Sequence, residues 1–170
     1  ILYQRDLGNT LKEIAHKGRE TFYQGEIAQA MVAFSQAYDG LLTEKDLLDY
    51  QANWVDPIHT TYRGYDVYEM PPNSSGHILL QELNIVEHFD LQSMGCNTTE
   101  SVHLMVEAKR LSFADREKYV ADPAWVDIPL EGMLSKAYAA QQAERIDPGQ
   151  MLTEVVAGMP EQFEDTTCFC

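Results

Sequence analysis

Residues 97–123 read NTTESVHLMVEAKRLSFADREKYVADP, and this stretch decides the class of fold. Asn97-Thr98-Thr99 offers side-chain oxygens of the kind that cap a helix N-terminus. From Glu100 to about Val120 there is neither Pro nor Gly, and Asp122-Pro123 then stops the run. The spacing predicts a long helix with an apolar stripe through Val102, Met105, Val106 and Phe113, with Leu111 and Ala114 beside it. Asp115-Arg116-Glu117-Lys118 reads as an exposed ion-pair face. His103 and Glu107 are four residues apart and can share a helix face. Without an HExxH pattern the pair reads as a surface contact, not a metal site.

Upstream of this helix the turn cluster Pro71-Pro72-Asn73-Ser74-Ser75-Gly76 opens a second one, from about His77 to His88, carrying Ile78, Leu79, Leu83 and Val86. Its Ser74-Ser75-Gly76 could hold an anion at free N–H groups, but a capped turn is the plainer reading. Before the cluster, Ile58 to Tyr62 and Tyr65 to Met70 are rich in β-branched and aromatic residues around Arg63-Gly64, which predicts two strands with a tight connection. Earlier still, helices are expected from Thr10, whose Thr-x-x-Glu pattern resembles a capping box, to Lys17, from Glu26 to Tyr38, and from Thr43 to near Tyr50.

Downstream, a helix is expected from Leu134 to Ile146, closed by Asp147-Pro148-Gly149. Gln150 to Asp165 has four acidic residues and no basic one and reads as an exposed loop. Thr166-Thr167-Cys168-Phe169-Cys170 is β-prone, like a strand cut short. If that stub is extended, Thr166, Cys168 and Cys170 share one face, too far apart along it for a Cys168–Cys170 disulfide.

Composition excludes some functions. The chain carries 27 acidic and 12 basic residues, a formal net charge of -15, which speaks against nucleic acid and anionic membranes. No apolar run reaches the roughly 18 residues of a membrane span. Ile1-Leu2-Tyr3-Gln4-Arg5-Asp6 does not read as a secretory signal. The three cysteines, Cys96, Cys168 and Cys170, form neither a disulfide framework nor a CxxC site, and lean towards a reducing, cytoplasmic setting over a periplasmic or secreted one. No cofactor and no metal is expected.

An ordered set of segments resembles the gamma-glutamyltranspeptidase family. Leu7-Gly8-Asn9-Thr10-Leu11, Phe22-Tyr23-Gln24-Gly25, Gly40-Leu41-Leu42-Thr43 and Tyr62-Arg63-Gly64-Tyr65 are similar to parts of that family's large subunit. Pro71-Pro72-Asn73-Ser74-Ser75-Gly76 is similar to its Pro-Pro-x-Ser-Ser-Gly signature. Glu107-Ala108, Ala114-Asp115-Arg116 and Asp122-Pro123 resemble its long helix, and Asp165-Thr166-Thr167 stands where its precursor is cut. The resemblance implies an α/β (α+β) chain, mostly helical with a few strands, from an αββα N-terminal-nucleophile hydrolase sandwich. Residues 1–165 would belong to the large subunit and 166–170 to the start of the small one. Thr166 would be the nucleophile, and Asp165–Thr166 the autocleavage site.

The implied substrate is a small gamma-glutamyl amide such as glutathione. The implied partners are the remaining large- and small-subunit segments of the same enzyme. The family's carboxylate-binding arginine and oxyanion glycines match no residue of this chain. Its pattern after the two threonines is His, an aromatic and Ser, where this sequence has Cys168-Phe169-Cys170. That departure leaves open a related acylase acting on cephalosporin or glutaryl amides. A helical interaction module that reuses the scaffold without chemistry is the reading from outside enzymology.

Overall fold

A computed structural model describes residues 2–160. Asp165, Thr166, Cys168 and Cys170 therefore lie outside the described residues, as does the strand expected there. The chain divides into two compact units, Ile1–Trp54 and Val55–Cys170.

The N-terminal unit holds α1 (Arg5–Lys17), α2 (Glu20–Tyr23), α3 (Glu26–Ala37) and α4 (Glu44–Asp49). The first helix begins a turn and more before the expected start, so Thr10 lies inside it and caps nothing. Gly18, at φ 78°, ends it in a conformation that suits glycine. The capping box at Thr43 is present: its hydroxyl accepts the Asp46 N–H at 3.3 Å, while the Asp46 carboxylate accepts the Thr43 N–H at 2.8 Å. Ala28, Val32 and Leu47 form a small core, with Tyr23 and Leu42 against it. Arg19 lies 4.5 Å from the Tyr23 ring centroid, and Tyr23 stacks on Tyr50.

The C-terminal unit opens on a hairpin, β1 (Ile58–Tyr62) and β2 (Tyr65–Glu69), paired antiparallel with Tyr62 opposite Tyr65. Arg63 and Gly64 both take positive φ, as a two-residue hairpin turn of this hand requires, and Gly64 does so without a Cβ penalty. There follow α5 (Gly76–Val86), α6 (Leu91–Met94), α7 (Thr99–Tyr119), α8 (Leu130–Leu134) and α9 (Lys136–Glu144). The mostly helical α+β reading thus holds, with one two-stranded sheet among the described residues. The helix expected over 134–146 breaks at Ser135, whose hydroxyl accepts the Tyr138 N–H and starts α9 afresh. No helix of the described residues is long and apolar enough to cross a membrane.

The core of this unit joins Ile85, Val86, Leu104, Ala108, Leu111, Ala139, Ala143 and Ile146. Here the expected stripe on α7 is overturned. Val102, Met105, Val106 and Phe113 are exposed, and the buried face is Ser101, Leu104, Glu107, Ala108, Leu111, Ser112 and Asp115. Both sets recur at helical spacing. Three-dimensional packing selects the face that carries acids and hydroxyls, because each finds a partner there.

A hub of hydrogen bonds ties the hairpin to the helices. The Lys136 ammonium donates to Asn84 Oδ1 at 2.7 Å, to Glu87 Oε2 at 2.6 Å and to the Thr61 carbonyl. Buried Thr60 donates to the same Asn84 oxygen at 2.7 Å. The Arg63 N–H and then Lys136 hold the Glu87 carboxyl below the ordinary carboxylate range.

Candidate functional site

The last described segment, residues 150–160, is not the free loop its composition suggests. It runs as an extended strap across α7 and α9, tied by side chains of both. Just ahead of it His103 Nε2 lies 2.8 Å from the Asp147 carbonyl oxygen. Two helical turns along, Arg110 donates to the Leu152 carbonyl at 2.9 Å, and Glu107 accepts the Leu152 N–H at 3.3 Å. Glu107 is 1% exposed, and Arg110 pairs with both of its oxygens, at 2.7 and 3.0 Å. A carboxylate so placed is stable because its charge is matched and its oxygens are filled. His103 and Glu107 do not act as a pair: His103 reaches Asp147 ahead of the strap, and Glu107 reaches Leu152 within it. Among the described residues no group of three or more His, Cys, Asp or Glu could hold a metal ion.

The strap is fixed most firmly at Gly158. Its N–H donates to Asp115 Oδ1 at 2.8 Å, and its carbonyl accepts the Tyr119 hydroxyl at 2.7 Å. Asp115 is fully buried, contrary to the exposed ion-pair face expected of it, while Arg116 and Glu117 do pair at the surface. Its second oxygen accepts from Tyr138 at 2.8 Å, from Gln142 at 3.3 Å and from Gln81. Four donors from α5, α9 and the strap thus converge on one carboxylate, replacing the water it has lost. Burial, and then the Asp115 carboxylate beside it, raises the Tyr138 phenol far above its ordinary value, so it stays a donor. Arg145 adds a further tie, donating to the Val156 carbonyl at 2.8 Å.

The Ser74-Ser75-Gly76 turn closes on itself. Ser74 donates to the Met70 carbonyl at 2.8 Å, and Ser75 makes no side-chain cap to α5. His77 follows, fully buried, its Nδ1 donating to the Ser74 carbonyl at 3.2 Å. Burial pushes the His77 imidazole below its usual value. His77 Nε2, Gln81 Oε1 and Glu82 Oε1 are buried without a partner among the described residues. Burial also raises the Glu82 carboxyl, against the pull of Lys109. In the N-terminal unit a groove of about 710 Å³ is lined by Ile27, Ala30, Met31, Phe34 and Leu42, with Glu26 its one ionisable side chain. Thr10 and Ser35 complete its lining.

The sequence pointed to Asp165 and Thr166 but not to the strap or its anchors Glu107, Arg110, Asp115, Tyr119 and Arg145, nor to Tyr138 and Gln142, which support Asp115. The one available signal was a pair of acids, Glu107 and Asp115, on the same helical period as Leu104, Ala108 and Leu111.

Comparison with known proteins bears on this arrangement. The sequence profile described as gamma-glutamyltranspeptidase matches residues 1–169. A glutathione hydrolase proenzyme of Escherichia coli K12 is 42% identical over 147 residues, which is 86% of this chain and 25% of that protein. The crystal structure of Helicobacter pylori gamma-glutamyltranspeptidase superposes with a TM-score of 0.78 at 33% identity, covering 98% of this chain and 48% of the other. A cephalosporin acylase structure from Bacillus halodurans gives 0.74 at 39% identity, covering 89% and 28%. The chain thus spans about a quarter of the length of the curated relative it matches.

Proposed function

The chain belongs to the gamma-glutamyltranspeptidase family, and on that premise we propose that its full-length protein is a self-processing gamma-glutamyl transferase or hydrolase whose nucleophile is Thr166. The observation that carries this reading is the sequence Asp165-Thr166-Thr167 inside the matched residues 1–169. The word proenzyme in the name of the Escherichia coli relative supports it, and the same name suggests glutathione as substrate.

The chemistry follows from the residue types. The Thr166 hydroxyl attacks the Asp165 carbonyl carbon, and the peptide C–N bond breaks. The product is an ester and a free Thr166 α-amino group. Water then hydrolyses the ester, leaving the Asp165 α-carboxylate and regenerating the hydroxyl. The attack is intramolecular, so holding the two groups together raises its rate. Before cleavage the Thr166 nitrogen is an amide and is not basic. Afterwards it is an amine with an ordinary pKa of about 8, suited to take the hydroxyl proton when Thr166 attacks a gamma-glutamyl carbonyl. Processing and activation are then one event. The remaining segments of the enzyme supply the carboxylate-binding and oxyanion groups.

The test is cleavage of the full-length polypeptide. Thr166→Ala leaves one uncut chain, Thr166→Ser retains some cleavage, and Edman sequencing of the small fragment begins at Thr166. A fragment beginning elsewhere overturns the proposal. A second reading, an amide acylase, is favoured by Cys168-Phe169-Cys170 and by the 39% identity to the cephalosporin acylase. Turnover of a glutaryl amide well above that of a gamma-glutamyl anilide would select it.

A further inference from the structure

We infer that the buried Asp115 carboxylate is a positioning residue for self-cleavage: through Gly158 it sets the point from which the strap presents the Asp165–Thr166 bond. The inference rests on the reading of that bond as the one cut. The strap is held at successive points along α7 and α9: Leu152 by Glu107 and Arg110, Val156 by Arg145, and Gly158 by Asp115 and Tyr119. The last of these is the deepest. A Cβ on Gly158 would lie 2.8 Å from Tyr138 Cζ and closer still to the Tyr138 hydroxyl and Gln142 Nε2. Those two groups are themselves bound to Asp115, so the cradle admits only glycine and cannot yield without giving up the carboxylate's donors.

The consequence is geometric. Thr166 lies eight residues beyond Gly158, against ten beyond Val156, the tie before it. On chain statistics that shortening alone matters by only about 1.4-fold, so the weight of the last anchor lies in the position it fixes. Misplacing the scissile bond by an ångström can cost about a hundredfold more. A positioning residue of this kind acts by restricting where the bond can be.

The experiment follows cleavage of the full-length precursor in three variants. Gly158→Ala is expected to slow cleavage by about tenfold or more, through misplacement of the scissile bond. Tyr119→Phe, which deletes only the hydroxyl bound to the Gly158 carbonyl, is expected to slow it less and keeps the test open if Gly158→Ala does not fold. Leu111→Ala, a core cavity away from the strap, is the control for general destabilisation. Once cut, the strap no longer presents a bond, so kcat for a gamma-glutamyl anilide in the fully processed variants should equal that of the unaltered enzyme. Selective slowing of cleavage with unchanged kcat supports the inference. Cleavage at the unaltered rate in the folded variants overturns it, as does a parallel fall of cleavage, kcat and melting temperature like that of Leu111→Ala. Thr166→Ala, run beside them, separates the two claims: if it is still cut, the processing reading itself fails, whatever Gly158→Ala does.

Discussion

The two units of this chain stabilise their helices by different means. In residues 2–54 the buried apolar cluster is Ala28, Val32 and Leu47, and no residue of α1 is buried among those described. Order there rests largely on local devices, the Thr43 capping box and exposed i,i+4 pairs such as Glu13–Lys17, with the Arg19–Tyr23–Tyr50 stack as a longer-range tie. In residues 55–160 a larger apolar core is interleaved with hydrogen-bonded polar side chains, Asp115, Glu107, Asn84 and Gln142 among them. Local devices fix the course of a single turn. A buried polar network fixes which of several similar packings is adopted, since each mispairing leaves an unsatisfied group. The unit that carries the strap is the one built in the second way.

The sharpest way to break this contrast is to cut a cavity in each unit. Leu104→Ala, at 0% exposure, should destabilise the C-terminal unit by about 2–5 kcal/mol. Val32→Ala should affect the N-terminal unit by only about 1–2 kcal/mol, since it removes less apolar surface from a thinner core. Hydrogen exchange resolved by segment reads both, and equal losses would remove the distinction.

Two matched capping boxes sharpen it further. Thr43→Ala and Thr98→Ala each delete a hydroxyl that accepts an N3 N–H. Each should lose about 1 kcal/mol. The Thr98 loss should be the larger, because its partner Ser101 is buried and would be left with fewer bonds. Urea midpoints of the two variants decide the order.

The smallest effect is a slope with pH. Burial holds His77 below its ordinary value, with Arg116 adding to the shift and the Ser74 carbonyl opposing it. As pH falls below about 6.5 the unfolded chain takes up this proton first. The C-terminal unit should therefore be most stable above that pH and lose stability as pH falls from there towards the folded value, by at most about 1.4 kcal/mol per pH unit for one proton. His77→Gln should flatten the melting temperature between pH 6.5 and 5, roughly the window opened by that ordinary value. An unchanged slope would show that other groups carry the acid sensitivity.

Much of the secondary structure was legible in the sequence. The hairpin, α3, α4, α5 and α7 fall where periodicity and punctuation put them, because caps, glycines and the residue before proline act within a few positions. The face of α7 was not legible. Val102, Met105, Val106 and Phe113 form as regular a stripe as Leu104, Ala108 and Leu111, and hydropathy favours the former. What reverses the choice is that Glu107 and Asp115 find donors on α5, α9 and the strap, none of which is local in sequence, while Ser101 and Ser112 are satisfied by Thr98 and Ala108 close by. The strap was misread for the same reason: its acidic, proline-bearing composition describes a solvated loop until Arg110, Arg145 and Asp115 reach it from elsewhere.

By itself the sequence determined the helical class, the position of the hairpin and, through ordered motifs, the family. The same resemblance named Asp165 and Thr166 as the chemistry to be tested. Only the tertiary structure decided that Asp115 is buried, that Gly158 is held by it and that residues 150–160 form a pinned strap. A buried carboxylate is tolerable only where several donors converge, and convergence of groups up to 77 positions apart, from Gln81 to Gly158, exists only once the chain has folded.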